Sequence, residues 1–225
     1  MEPTLAPAKP WSMKHIHRLV VTSSAYRMAS TPDAADLALD PDNRFLWRMP
    51  SRRLDAEIVR DGILSVAGGL DLKIGGPELD QQSALSTFRR SLYYRHAAEK
   101  QVEFLQLFDM AGVNECYERK VSVVPQQALA MANSELTLSQ SRRLAHVLSA
   151  TAGSDPAAFV AIAFEQVLSR PAVPAEVEAS VNFLKSQEGL LASMKQKPAA
   201  ADPAVRARED LVHALMNHND FVTVR

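Results

Sequence analysis

A single cysteine, Cys116, stands among the 225 residues. No internal disulfide can form, and the chain offers neither a cysteine-pair haem attachment motif nor a cysteine-based zinc cage. Glycine is scarce, at eight residues, and none of them falls into either of the common Gly-rich phosphate loops. No apolar run is long enough to span a bilayer. Met1-Glu2-Pro3-Thr4 has no basic start followed by an apolar stretch, so no signal peptide is visible. An excess of one charge is missing too. The 25 Lys and Arg face 26 Asp and Glu, and a net charge of -1 creates no field that would gather nucleic acid or an anionic membrane. A nucleic-acid reader also needs aromatics interleaved with a basic surface, and that pattern is absent. What is there is 47% apolar and 23% charged, the balance of a globular chain, and long enough for one large or two small domains.

One local bias stands out. From His15 to Glu99 every Lys or Arg position except Lys73 is arginine. Arginine is preferred where a cation is partly buried and makes forked bonds. The same interval holds a comparable number of acids, which predicts an internal Arg–carboxylate network rather than an exposed basic patch.

The stretch Ser51–Gly69 looks like its centre. Ser51 as N-cap and Gly68-Gly69 as a left-handed stop frame one helix, with Leu54, Ile58, Val59, Ile63, Leu64 and Val66 as its apolar face. Arg53, Glu57 and Asp61 repeat every fourth residue and Arg60 follows Glu57 by three, so all four share one face. Two readings fit. One is an ion-pair ladder that satisfies itself. The other is a pocket wall where arginine meets an anionic ligand and Glu57 or Asp61 handles a proton.

Residues 1–10, rich in Pro and Ala, are expected to be disordered. Ser12 caps a predicted helix to about Met28, with Ile16, Leu19 and Val20 inward; His15 and His17, two apart, make a poor metal pair. Ser30 to Pro41 is a polar loop, and Asp40-Pro41 starts a short helix in which Phe45, Leu46 and Met49 pack and Trp47 is core. Gly75-Gly76-Pro77 marks a structured loop, and Arg89-Arg90-Ser91-Leu92-Tyr93-Tyr94-Arg95 is the best strand candidate. Val102 to Phe108 is a short helix, and Asp109 to Val124 a long polar connection of the kind that often carries function. Cys116 lies in it without a neighbouring His or second Cys, which favours a quiet structural thiol over a nucleophile.

The remainder is helical. Helices are predicted over 125–131, 134–150 (Leu144, Val147 and Leu148 inward, Arg142-Arg143 outward), 156–169, from Pro174, and from Pro203 after an Ala/Pro linker. Asp155-Pro156 and Asp202-Pro203 are capped starts. The 156–169 helix is apolar on several sides and should be central, and the tail from Phe221 to Val224 is extended. The fold class that follows is mainly α, a compact multi-helix domain with at most one short β element near 91–95. Residues 11–225 form a single helical domain, with an Arg-rich half (11–124) and a helical half (125–225).

An ordered set of strings carries a family resemblance. It runs through His17-Arg18-Leu19-Val20-Val21-Thr22-Ser23, Asp40-Pro41-Asp42-Asn43-Arg44, Arg52-Arg53-Leu54-Asp55-Ala56-Glu57 and Gly75-Gly76-Pro77. It continues through Arg89-Arg90-Ser91-Leu92-Tyr93, Leu107-Phe108-Asp109, Pro125-Gln126-Gln127-Ala128-Leu129 and Asn217-His218-Asn219-Asp220-Phe221. Together these resemble the planctomycete-type C-terminal domain of unknown function, family 1553, also called the PSD domain. The resemblance implies exported, multidomain relatives in which this domain follows a companion domain and often a cytochrome c-like module. It transfers no catalytic residues. The upstream Asn-Arg-x-Trp region of the family is missing here, as is the aromatic that often opens the last helix, where Arg208-Glu209-Asp210 stands. The chain therefore looks like a fragment or a shortened gene product.

Three functions follow as expectations. The first is a helical accessory or interaction domain without catalysis of its own, whose partner is an upstream companion domain or cytochrome c-like module. The second is part of an enzyme acting on an anionic or saccharide-like substrate, with Arg53, Arg60, Arg89 and Arg90 as clamp and Glu57 or Asp61 as acid or base. The third, electron transfer through haem held in this chain, lacks an attachment motif. Arg119 and Asn133 are further binding candidates from the loops around the Pro125 helix, with capping as the alternative for Asn133. No cofactor, metal, nucleic-acid partner or membrane span is expected in this chain.

Overall fold

Helix starts are set by side chains that reach back onto their own first turn. Ser134, Asp155 and Asp202 each accept a hydrogen bond from a backbone N–H two or three residues on, and Pro156 and Pro203 occupy first-turn positions where no N–H is needed. In the computed structural model, which describes residues 11–114, 119, 122–194 and 202–224, the helices in chain order are α1 (Met13–Thr22), α2 (Ala34–Leu39), α3 (Ala56–Val66) and α4 (Glu103–Leu107). They continue with α5 (Pro125–Asn133), α6 (Glu135–Ala152), α7 (Pro156–Leu168), α8 (Pro174–Ser193) and α9 (Pro203–Met216). The sheet is two short strands, β1 (Arg52–Arg53) and β2 (Thr223–Val224). The architecture is mainly α, as the sequence predicts.

The chain divides into two compact units, residues 1–52 with 223–225, and residues 53–222. In the first, Ser12 caps α1 as expected, but the helix stops at Thr22. Thr22 Oγ1 bonds back to Arg18 O at 2.7 Å and Ser23 Oγ to Val20 O at 2.8 Å, so hydroxyls take the carbonyls that a longer helix would use. No residue of α1 is buried. Two expectations fail here. Residues 34–39, read as loop, form α2 because the Asp33 carboxylate caps Ala35 and Asp36 N–H. The helix predicted from Asp40 is instead a loop wound on the buried Asp40, whose carboxylate accepts from Arg44 N (3.0 Å) and Phe45 N (2.8 Å) while its carbonyl accepts from Trp47 Nε1. Phe45 and Leu46, expected to pack, are exposed, and Trp47 is half-buried.

In the second unit α7 packs against α6, α8 and α9 and buries Phe159, Val160, Ala163, Phe164, Val167 and Leu168, while α9, which meets α5, α6, α7 and α8, takes the central place expected of α7. α9 lies along α6 and α8 and buries Leu211, Val212, Leu215 and Met216 on one side. α3 sits on α4 and α6 and contributes Ala56, Val59, Ile63 and Leu64 to the same core. Val147 of α6 is exposed rather than inward; Ala145 and Leu148 take the inner positions. The tail first makes a 3-10 turn over Asn219–Val222 and only then extends. The string at 91–95 is no strand. Ser91–Tyr93 is a 3-10 turn, with single bridging residues at Arg89 (to Asp71) and Tyr94 (to Leu79). The disorder expected of residues 1–10, the role of Cys116 and the linker at 195–201 lie outside the described residues.

Candidate functional site

The predicted helix 51–69 begins five residues late, and that decides the site. Arg52 and Arg53 are extended, Leu54 N donates to Val222 O at 2.9 Å, and α3 starts at Ala56 with Asp55 before it. Its C-terminus closes as expected, with Gly68 at φ 67° and Gly69 N bonded to Leu64 O. Arg53 is thus off the helix, and the ladder Arg53–Glu57–Asp61 does not form. Arg60 and Asp61 reach the segment 84–94 instead, Glu57 reaches Arg119, and Arg53 reaches Gln127 on α5. Ile58, placed on the apolar face by its spacing, is exposed.

Arg60 is 0% exposed. Its guanidinium donates to Arg89 O (3.0 Å), Ala84 O (2.9 Å), Thr87 O (2.8 Å), Tyr94 OH (3.0 Å) and Ser91 Oγ (3.3 Å). It also lies over the Tyr94 ring, 5.0 Å from the centroid. Burial pulls the Arg60 pKa down, opposed by Tyr94 and Asp61, and burial pushes the Tyr94 hydroxyl up, opposed by Arg60. Asp61 accepts from Ser91 N and Ser91 Oγ, both at 2.7 Å, and from Arg90 Nε at 3.3 Å. Arg89 stacks on Tyr93 at 3.8 Å and donates to the carbonyls of Lys73 and Gly75. Arg60, Asp61 and Arg90 therefore fasten residues 84–94 onto α3, while Arg89 ties residues 73 and 75 to Tyr93.

Glu57 is bound by Arg119 at 2.7 and 3.5 Å, and these hydrogen bonds raise the Arg119 pKa. Glu57 lines a cavity of about 110 Å³ together with Tyr94, Arg95, His96 and Leu105. The Glu57 and Arg119 side chains both keep more than a quarter of their surface in water. Arg119→Ala is accordingly expected to cost only about 0.5–1 kcal/mol. Urea denaturation measures it, and a loss above roughly 2 kcal/mol would show that the pair anchors the fold.

Arg53 goes elsewhere. Its Nη2 donates to Gln127 Oε1 at 3.0 Å, and Gln127, buried at the start of α5, passes Nε2 to Leu107 O at 2.9 Å. Asp109 is held behind Gln127 by Ser122 N and Oγ at 2.8–2.9 Å. Arg53 and Gln127 line a second cavity, of about 150 Å³, with Phe108, Met131, Asn217 and Asn219. Asn133, the last residue of α5, is exposed and near neither cavity; Ser134 does the capping.

Several polar residues escaped the sequence reading. Gln127 was legible in hindsight, because it lies one helical turn before the buried Met131 and so shares its inward face. Ser91 and Tyr94 give no such signal, since their partners come from α3. Arg170 binds Glu176 through two bonds of 2.7 and 2.8 Å and Asp220 at 2.9 Å. Glu209, buried on α9, takes Arg206 at 2.8 Å, with His146 at 3.2 Å and Arg142 at 3.8 Å. Among the described residues no group of three His, Cys, Asp or Glu is placed to hold a metal ion, and no helix is long and apolar enough to cross a membrane.

The chain belongs to the PSD1 family, described as protein of unknown function (DUF1553), whose model matches residues 5–184. No curated protein and no solved structure matches it. Strings that carry the resemblance, remote in sequence, meet at one place in the fold: Arg53, Phe108, Gln127, Asn217 and Asn219 all line the second cavity.

Proposed function

We propose that the chain is a helical interaction domain that works joined to companion domains and has no catalysis of its own. The carrying observation is α1. It has ten residues and buries none, while Ile16, Leu19 and Val20 expose about half their surface on one side and Lys14, Arg18 and Thr22 occupy the other. A helix shorter than about 12–15 residues is marginal in water and draws its stability from packing that apolar side. The family context favours an upstream companion domain or a cytochrome c-like module of an exported parent protein as the partner, with no haem carried here. The pairing of Glu57 by Arg119 and of Asp61 by Ser91 and Arg90 supports the same reading, since neither carboxylate is left poised for proton transfer.

The alternative, part of an enzyme for an anionic or saccharide-like substrate, draws its support from Glu57, which lines the smaller cavity. At about 110 Å³ that cavity is smaller than the roughly 150 Å³ that takes a benzene-sized guest, too small for a saccharide ring with its hydroxyls. Two measurements separate the readings. Chromogenic esters, phosphates and glycosides should show no turnover above buffer, and reproducible turnover lost in Glu57→Gln would overturn the interaction reading. A c-type cytochrome titrated into the labelled chain should shift the α1 amide resonances saturably. Unmoved α1 resonances would rule out the cytochrome as partner.

A further inference from the structure

We propose that the cavity beside Arg53 is a binding site for a short aliphatic carboxylate. This goes beyond the interaction reading and does not depend on it. Arg53 supplies the charge. Among the described residues it pairs with no carboxylate, and its one side-chain bond is to the neutral oxygen of Gln127. That bond fixes one N–H of the guanidinium and leaves the rest of the fork for a second acceptor. The two Arg53 nitrogens that make no bond, Nε and Nη1, keep accessible surface. Gln127 cannot swing away, because its buried amide is tied to Leu107 O.

The surroundings select the ligand. Among the described residues no acidic side chain lines the cavity. Asn217 directs one amide N–H to His213 O at 2.9 Å and retains the second for a guest oxygen. Val124 and Ala128 bring the first turn of α5, whose positive dipole end favours an anion. Phe108 and Met131 add apolar lining. A head that accepts forked hydrogen bonds and a short hydrocarbon stem fit that division. A cavity of about 150 Å³ takes a benzene-sized guest, and butyrate also has about six heavy atoms.

The test uses the isotopically labelled full chain at constant ionic strength, titrated separately with butyrate, butyramide and inorganic phosphate. Butyrate should shift the side-chain amide resonances of Gln127 and Asn217 saturably, in the millimolar range. Butyramide, of the same size and shape but neutral, and phosphate, charged but without a stem, should shift them at least about tenfold more weakly. Arg53→Gln should lose the butyrate response by a similar factor, while Arg53→Lys, which keeps the charge, should retain a part of it. Unmoved resonances with butyrate in the wild-type chain overturn the proposal. So does an equal response to butyramide, which removes the role of the charge, or an equal response to phosphate, which removes that of the stem. Because these comparisons are made on the wild-type chain, they stand whether or not the Arg53 variants fold.

Discussion

Arg60→Met is expected to lower stability by about 3–5 kcal/mol, enough to drop the melting temperature by roughly 10 °C in a chain of this size. The side chain volume is nearly conserved, so the effect is polar. Arg60 is the common donor to three carbonyls, Ala84, Thr87 and Arg89, and to the Tyr94 and Ser91 hydroxyls, all in or beside a segment with little regular structure. Such a segment cannot satisfy its own carbonyls through a helix or sheet ladder, and an orphaned buried carbonyl costs about 1–3 kcal/mol. Arg60→Lys should recover only part of the loss. An ammonium has three donors at one point and cannot reach acceptors spread around a planar fork. Denaturant unfolding of the three proteins checks this. A loss below about 1 kcal/mol for Arg60→Met would mean that water replaces the guanidinium, and that residues 84–94 are not held by it.

That role also explains which parts of the fold the sequence reveals. The starts of α6, α7 and α9 are local events, a Ser or Asp and its own first turn, and they fall where a reader of the sequence puts them. The apolar sides of α7 mark it as a core helix, although α9 meets more of its neighbours. Failures occur where a distant partner overrides a local preference. Ser51 is a sound cap on paper, yet Arg52–Arg53 pairs with Thr223–Val224, some 170 residues away, and the helix waits for Ala56. The 91–95 string has the aromatics of a strand, but Ser91 turns its N–H and hydroxyl to Asp61 and the backbone curls. The arginine bias announces a buried, forked cation at Arg60 alone, since Arg18, Arg27, Arg44, Arg52, Arg90 and Arg95 are exposed. It misnames that cation's partners, because a carbonyl of residue 84 or 87 leaves no mark on a sequence, whereas a carboxylate does. Arg60, Asp61 and Arg90 make their bonds to the segment 84–94, and Glu57 makes its bond to Arg119.

Arg170→Met is expected to cost about 2–4 kcal/mol at neutral pH, and the cost should shrink on acidification. Arg170 joins the start of α8, through Glu176, to the turn after α9, through Asp220, and rests over the Phe164 ring of α7 at 5.6 Å. Its bonds to Glu176 hold that carboxyl at a pKa of about 2, against a usual 4.5, helped by the Val173 N–H and opposed by burial. A carboxylate whose pKa is depressed in the folded chain contributes stability that is complete above the unfolded value and disappears as pH falls through the folded one. The window is therefore pH 4.5 down to about 2. For a pair partly open to water the contribution is about 2 kcal/mol after screening. Without the guanidinium, Glu176 titrates nearer its usual value, so the variant has less of this stability to lose. Urea midpoints for both proteins at pH 7, 4 and 3 should converge as pH falls. A gap that stays constant across that range would mean that Arg170 acts through its packing on Phe164 rather than through charge, and the acid limb of the stability profile would then have to come from other carboxylates.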